Sequence, residues 1–170
     1  MQAELESQRH TFSVLVENRF GVLARVAGLF SGRGYNIESL VVSPTENRNY
    51  SRMTIVTEGN DAVIEQIRKQ LNKLVEVEHV TDLTGSGFIS RELMLLKVKS
   101  DNATRGELIQ IASVFHASIV NVQEDSMIIE ATGSTEKLDS FEKLMTTYGI
   151  IELARSGKVA LSKDSQPTDL

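Results

Sequence analysis

The sequence predicts an α+β protein made of two tandem two-layer sandwiches, each with the element order β-α-β-β-α-β. Three observations predict it. Apolar residues alternate with polar ones in short runs; helical spacing takes over between particular pairs of those runs; and the six-element order occurs twice, on either side of the glycine–serine stretch Thr84-Gly85-Ser86-Gly87.

In residues 11–17, Phe12, Val14 and Val16 alternate with Thr11, Ser13 and Glu17, the period of a strand with one buried face. Leu15 breaks the pattern. A turn from Asn18 to Gly21 follows, and then Val22, Leu23, Val26, Ala27, Leu29 and Phe30 recur at helical spacing, with Arg33-Gly34 as a basic last turn and C-cap glycine. Residues 37–43 read as a strand, 44–49 as turn chemistry and 52–57 as a second alternating run, which together make a hairpin. Gly59-Asn60 introduces a helix with Val63, Ile64, Ile67, Leu71 and Leu74 on one stripe, and residues 75–80 alternate as a fourth strand.

The second unit opens on the apolar run LMLLKV, residues 93–98, expected of a strand covered on both faces. Thr104-Arg105-Gly106-Glu107 has capping-box spacing ahead of Leu108, Ile109, Ile111, Ala112, Val114 and Phe115. Strands at 118–123 and 127–132 follow, then a helix carrying Leu138, Phe141, Leu144, Met145 and Tyr148, and a last strand at 150–154. The expected organisation is a tail at 1–9, a first domain at 10–84, a linker at 85–90, a second domain at 91–163 and a polar tail at 164–170. Each domain should form a ferredoxin-like sandwich, an antiparallel sheet with both helices on one face. Edge strands of such sheets invite pairing, so self-association is expected.

Composition narrows the function. Without cysteine there is no disulfide, zinc ribbon or thiol nucleophile, which fits a reducing compartment. A net charge of -5 with scattered lysines and arginines leaves nucleic acid no electrostatic footprint, and strands poor in aromatic rings argue against RNA stacking. No uncharged run approaches the roughly 20 residues that span a bilayer, and the start MQAELESQRH lacks a signal-peptide pattern, so neither membrane insertion nor export is expected. His10, His79 and His116 fall in different elements without ligand spacing and read as structural; Glu76 with Glu78, and Glu124 with Asp125, read as solvated charge. The glycines of residues 28–34 close a helix where a dinucleotide fingerprint would open one. No catalytic or metal constellation remains.

What remains is the opening turn. A strand ending near Glu17 and a helix starting near Gly21 leave the N–H groups of Gly21, Val22 and Leu23 unpaired, where the helix dipole favours a carboxylate. Gly21 has no side chain to block approach, and Asn18 offers an amide oxygen to an ammonium group and an NH₂ to a carboxylate. The alternative is that Asn18 only caps the helix and Gly21 only turns the chain.

The segments ENRFGVLARVAGLFSGRGYNIESLVVSPTE, SRMTIVTEG, QLNKLVEVEHVTDLT, RELMLLKV and ARSGKVAL together resemble the regulatory (small) subunit of acetohydroxyacid synthase, also called acetolactate synthase, from about His10 to Lys163. The first half resembles the ACT domain, a ferredoxin-like amino-acid sensor. The resemblance implies a chain that is not catalytic alone, binds and activates a catalytic subunit, and confers feedback inhibition by a branched-chain amino acid, commonly valine. Thiamine diphosphate, Mg²⁺ and FAD would belong to the catalytic partner, with no cofactor in this chain. It further implies a homodimer through ACT domains, with the effector between Asn18, Gly21, Val22 and Leu23 of one chain and Asn36 and Ile37 of the other. The compartment implied is the cytoplasm, or the plastid stroma for a plastid-encoded chain. A free-standing ACT-type sensor acting on another partner is the competing expectation.

Overall fold

The strand β1 (Gln8–Glu17) lies at the centre of the first sheet, and the elements that follow it are α1 (Val22–Gly32), β2 (Ser39–Pro44), β3 (Tyr50–Gly59), α2 (Asp61–Leu71) and β4 (Val77–Asp82). The structure, a computed structural model, describes residues 7–165. The sheet order is β2-β3-β1-β4, antiparallel throughout, with Phe12 opposite Ile55 and Val14 opposite Met53. Those side chains bury one face against Val22, Val26, Leu29 and Phe30 of α1 and Ile64, Ile67 and Leu71 of α2. Each such side chain contributes about 1.5–3 kcal/mol on full burial. Helix α1 stops at Gly34, whose φ of +69° lets Tyr35 N–H reach back to Phe30 O at 3.0 Å. Tyr35 then meets the Phe30 ring edge-on, with centroids 6.0 Å apart. Asn60 caps α2 by accepting from Val63 N–H at 3.0 Å.

The opposite face differs from expectation. Thr11 and Ser13, read as the exposed half of the alternation, are 3% and 0% exposed. Arg52 Nη1 donates to Ser13 Oγ at 2.8 Å, and Thr11 N–H donates to Thr84 Oγ1 at 3.0 Å. On the row Thr11–Val56–Ser39, Ser39 Oγ accepts from Lys158 N–H at 3.1 Å, because the chain returns to this face after residue 157.

The second unit, residues 90–157, holds most of β5 (Phe88–Lys99), then α3 (Arg105–Val114), β6 (Ser118–Val122), β7 (Ser126–Gly133), α4 (Thr135–Met145) and β8 (Ile150–Arg155). Its sheet order is β6-β7-β5-β8, and Met94, Leu96, Val98, Met127 and Ile129 pack on Leu108, Ala112, Leu138, Phe141 and Met145. The fold class is the one the sequence predicts, two antiparallel sheets in βαββαβ units. Three particulars differ. LMLLKV is not covered on both faces: Leu93 and Leu95 are exposed while Met94, Leu96 and Val98 are buried, so β5 alternates as β7 does. Thr104 makes no side-chain cap; instead Asp101 Oδ1 accepts from Thr104 N–H at 2.8 Å, from Ala103 N–H at 2.9 Å and from the Thr104 hydroxyl at 2.9 Å.

The third difference is where the units end. Only 85–87 of the expected linker is turn, since β5 begins at Phe88, and β1 begins at Gln8 inside the expected N-terminal tail. The stretch 158–163, expected in the second domain, packs with the first unit. Gly157, at φ +81°, turns the chain out of β8, and β9 (Val159–Ser162) then pairs with β5, with Lys163 N–H donating to Gly87 O at 3.2 Å. Of the two expected tails, residues 1–6 and 166–170 lie outside the described residues.

Candidate effector site

The turn between β1 and α1 begins where Glu17 N–H donates to Glu76 O at 2.8 Å and Asn18 N–H donates to Asn49 O at 2.7 Å. Gly21 stands at φ +84°, a left-handed conformation that a residue with Cβ adopts only under strain, and nothing lies within 4 Å of the position a Cβ would take. Helix α1 starts at the next residue. Its first intrahelical bond runs from Arg25 N–H to Gly21 O at 3.0 Å, Val22 N–H reaches Arg19 O only at 3.4 Å, and no side chain caps it. By contrast, Asn60 caps α2 and Ser134 caps α4. The first turn of α1 holds no acidic residue to complement its dipole.

Asn18 therefore does not cap α1. Its Nδ2 donates to Arg48 O at 3.0 Å, on the β2–β3 turn, which engages one of the two N–H groups that the sequence expectation offered to a carboxylate. An open cavity of about 310 Å³ beside it is lined by Glu17, Asn18, Arg19, Arg48, Asn49 and Tyr50. Arg48, Asn49 and Tyr50 were not among the sequence candidates. Arg48 and Asn49 meet Asn18 through backbone carbonyls, which carry no residue-type signal; the polar run Glu46-Asn47-Arg48-Asn49 marked a turn and nothing more. Charge around the turn is locally paired, Glu17 with Arg19 at 3.2 Å and Arg25 with Glu76. The Glu76 carboxylate is thus an ion-pair member rather than solvated charge.

Val22 points its side chain into the core, whereas Leu23 is exposed beside the fully exposed Phe20. Asn36 and Ile37 lie elsewhere. Asn36 is exposed, its carbonyl accepts from Thr57 Oγ1 at 2.6 Å, and Ile37 packs on the core rim. Thr57 pairs with His10, and Tyr50 with Glu17, seven residues along β1. At about 3.3 Å per residue, Asn36 and Asn18 sit roughly 23 Å apart in one chain. The structure brings Asn18, Gly21, Val22 and Leu23 together and leaves Asn36 and Ile37 at the far end of the sheet.

His10 and His116 have structural settings. His10 Nδ1 lies 2.7 Å from Asp82 Oδ2, and His116 takes φ +52° after α3, where Ala117 N–H closes on Ala112 O at 2.8 Å. Among the described residues no group of three or more His, Cys, Asp or Glu side chains could hold a metal ion, and no helix is long and apolar enough to cross a membrane.

Comparison with known proteins agrees across both halves. Residues 12–79 match the family described as the AHAS small subunit-like ACT domain, and residues 91–164 match the small subunit of acetolactate synthase. A probable acetolactate synthase small subunit of Archaeoglobus fulgidus is 53% identical over 158 residues, covering 93% of this chain and 99% of its own. The acetolactate synthase small subunit of Mycolicibacterium smegmatis is 49% identical over 154 residues, with 91% of each chain covered. The crystal structure of the acetolactate synthase small subunit of Thermotoga maritima superposes with a TM-score of 0.85 at 38% identity, covering 94% of this chain and 99% of that one. The chain belongs to the acetolactate synthase small-subunit family, the regulatory and non-catalytic partner of a separate catalytic subunit.

Proposed function

We propose that this chain activates the catalytic subunit of acetolactate synthase in the cytoplasm and makes it sensitive to feedback inhibition by valine, bound between two copies of the chain. Thiamine diphosphate, Mg²⁺ and FAD stay with the catalytic partner. The observation that carries the reading is the open start of α1, where a positive-φ glycine with clear space before it leads into an uncapped helix. In this reading the N–H groups of Gly21 and Leu23, with the weakly bonded one of Val22, take the carboxylate. Asn18 Oδ1 takes the ammonium group. Asn36 and Ile37 of the second copy close the site, Asn36 by hydrogen bonding and Ile37 by receiving the branched side chain.

Choice among branched side chains rests on the placement of a methylene, about 1–3 kcal/mol. Inhibition needs a coupling of about 1–3 kcal/mol between this site and the catalytic partner. The test is acetolactate formation by the catalytic subunit with and without this chain, titrated with valine. The rate is expected to rise on adding the chain and to fall with valine. Asn18→Ala is expected to raise the inhibitory valine concentration about 10- to 100-fold, the loss of a hydrogen bond to a charged group. Wild-type valine sensitivity in that variant would remove Asn18 from the site.

A further inference from the structure

Asn18 is tied to the β2–β3 turn twice, through its backbone N–H to Asn49 O at 2.7 Å and through Nδ2 to Arg48 O at 3.0 Å. A carbonyl oxygen only accepts hydrogen bonds. The group facing Arg48 O must therefore be the NH₂, and the Asn18 amide has one admissible orientation, with Oδ1 on the side away from the turn.

The two carbonyls are themselves held by Asn47. Its Oδ1 accepts from Asn49 N–H at 3.1 Å, and its carbonyl accepts from Thr45 Oγ1 and from Tyr50 N–H, each at 2.9 Å. Thr45 N–H closes the turn on Tyr50 O at 3.0 Å. Asn47 is exposed and lines no part of the cavity, so its side chain serves the turn alone.

We propose that Asn47 is a positioning residue that makes the effector site select α-amino acids over 2-oxo acids of the same carbon skeleton, a proposal that rests on Asn18 being the ammonium contact. An ammonium group only donates and suits a fixed Oδ1. A 2-oxo group only accepts, so it meets Oδ1 as acceptor against acceptor. An amide free to flip would turn its NH₂ toward the oxo oxygen and bind either ligand. The discrimination therefore comes from the lock on the amide, and the lock comes from the turn.

The experiment uses the reconstituted holoenzyme, with the catalytic subunit alone as the control for direct effects. Inhibition by valine and by 3-methyl-2-oxobutanoate is measured for wild type, Asn47→Ala, Asn47→Asp and Asn18→Ala, each relative to its own effector-free rate. Asn47→Ala is expected to narrow the preference for valine about three- to tenfold, the worth of one ordinary hydrogen bond. Asn47→Asp, which keeps the acceptor for Asn49 N–H, is expected to restore it. A preference unchanged in Asn47→Ala, while Asn18→Ala loses valine inhibition, overturns the positioning role and leaves Asn18 in the site. A preference narrowed equally in Asn47→Ala and Asn47→Asp also overturns it, by making the effect a general loosening of the turn. Wild-type valine sensitivity in Asn18→Ala overturns the reading beneath.

Discussion

At Gly21 two costs that usually travel together can be separated. Its φ of +84° penalises most side chains by roughly 1–2 kcal/mol, yet the space around it is empty, so the penalty arises within its own backbone and not from a neighbouring residue. Gly21→Ala should lose that amount in urea denaturation followed by circular dichroism. Gly21→Asp should lose less, because Asp tolerates the left-handed region and its charge suits a helix start. The order reverses for the effector. The Asp carboxylate occupies the place proposed for the valine carboxylate, so calorimetry should find valine binding weakened more by Gly21→Asp than by Gly21→Ala. The reverse order would count against the helix-start mechanism. A second residue-scale case lies in the other unit, where Glu92, 8% exposed, accepts from Arg155 at 2.6 and 3.1 Å and from the Thr135 hydroxyl. Arg155 also holds Asp139 at 2.6 Å, and these carboxylates raise its pKa against the opposing pull of burial. Arg155→Ala leaves Glu92 buried and unpaired, at a cost of about 3–5 kcal/mol. Adding Glu92→Gln should recover part of that in the same assay.

The start of α3 shows at the scale of an element what spacing reveals and what it hides. The Thr104–Glu107 pattern announced a helix start, and a helix starts there, but the cap is the carboxylate of Asp101, three residues upstream. The N–H and then the hydroxyl of Thr104 hold the Asp101 carboxyl below its usual value. A group with a depressed folded pKa stabilises above its unfolded value, near 3.9, and loses that contribution as pH falls through the folded one. Wild type should therefore resist urea better than Asp101→Asn at pH 7, and the difference should shrink as pH falls below about 3.9. A gap that persisted in acid would assign the cap to geometry without charge. Elements of this kind were legible because periodicity is local: Phe12, Val14 and Val16, the α2 stripe and the Gly34 stop can each be read within a dozen residues. Burial of Thr11 and Ser13 could not be read, because the chain covering that face arrives after residue 157. Exposure of Leu93 and Leu95 was hidden by their apolar character, and the Glu92–Arg155 pair by its sequence separation. In the candidate site, Asn18 and Gly21 were legible from turn chemistry. The carbonyls of Arg48 and Asn49 were not, since every residue has one.

For the whole molecule, the decisive quantity is the roughly 23 Å between Asn18 and Asn36 along the pleat of one chain. No amino acid spans that distance, so a site that uses both residues must draw them from two chains related by symmetry. Each such site then takes Asn18 from one chain and Asn36 from the other, which gives a sharp consequence for mixtures. Asn18→Ala alone or Asn36→Ala alone spoils both sites of its dimer. In a heterodimer of the two variants, one site carries both substitutions and the other carries neither. Random pairing makes half the dimers mixed, so valine binding should return at about one quarter of all sites when the two variants are unfolded, combined in equal amounts and refolded together. Calorimetric stoichiometry reads that fraction directly. Effector binding across the interface should also tighten the dimer, by about 2.7 kcal/mol per site at a hundredfold excess over the dissociation constant, visible in sedimentation as dimer persisting at lower protein concentration. An Asn36→Ala dimer that binds valine as the wild type does would place the effector within a single chain, and the cavity between Asn18 and the β2–β3 turn would then be its seat.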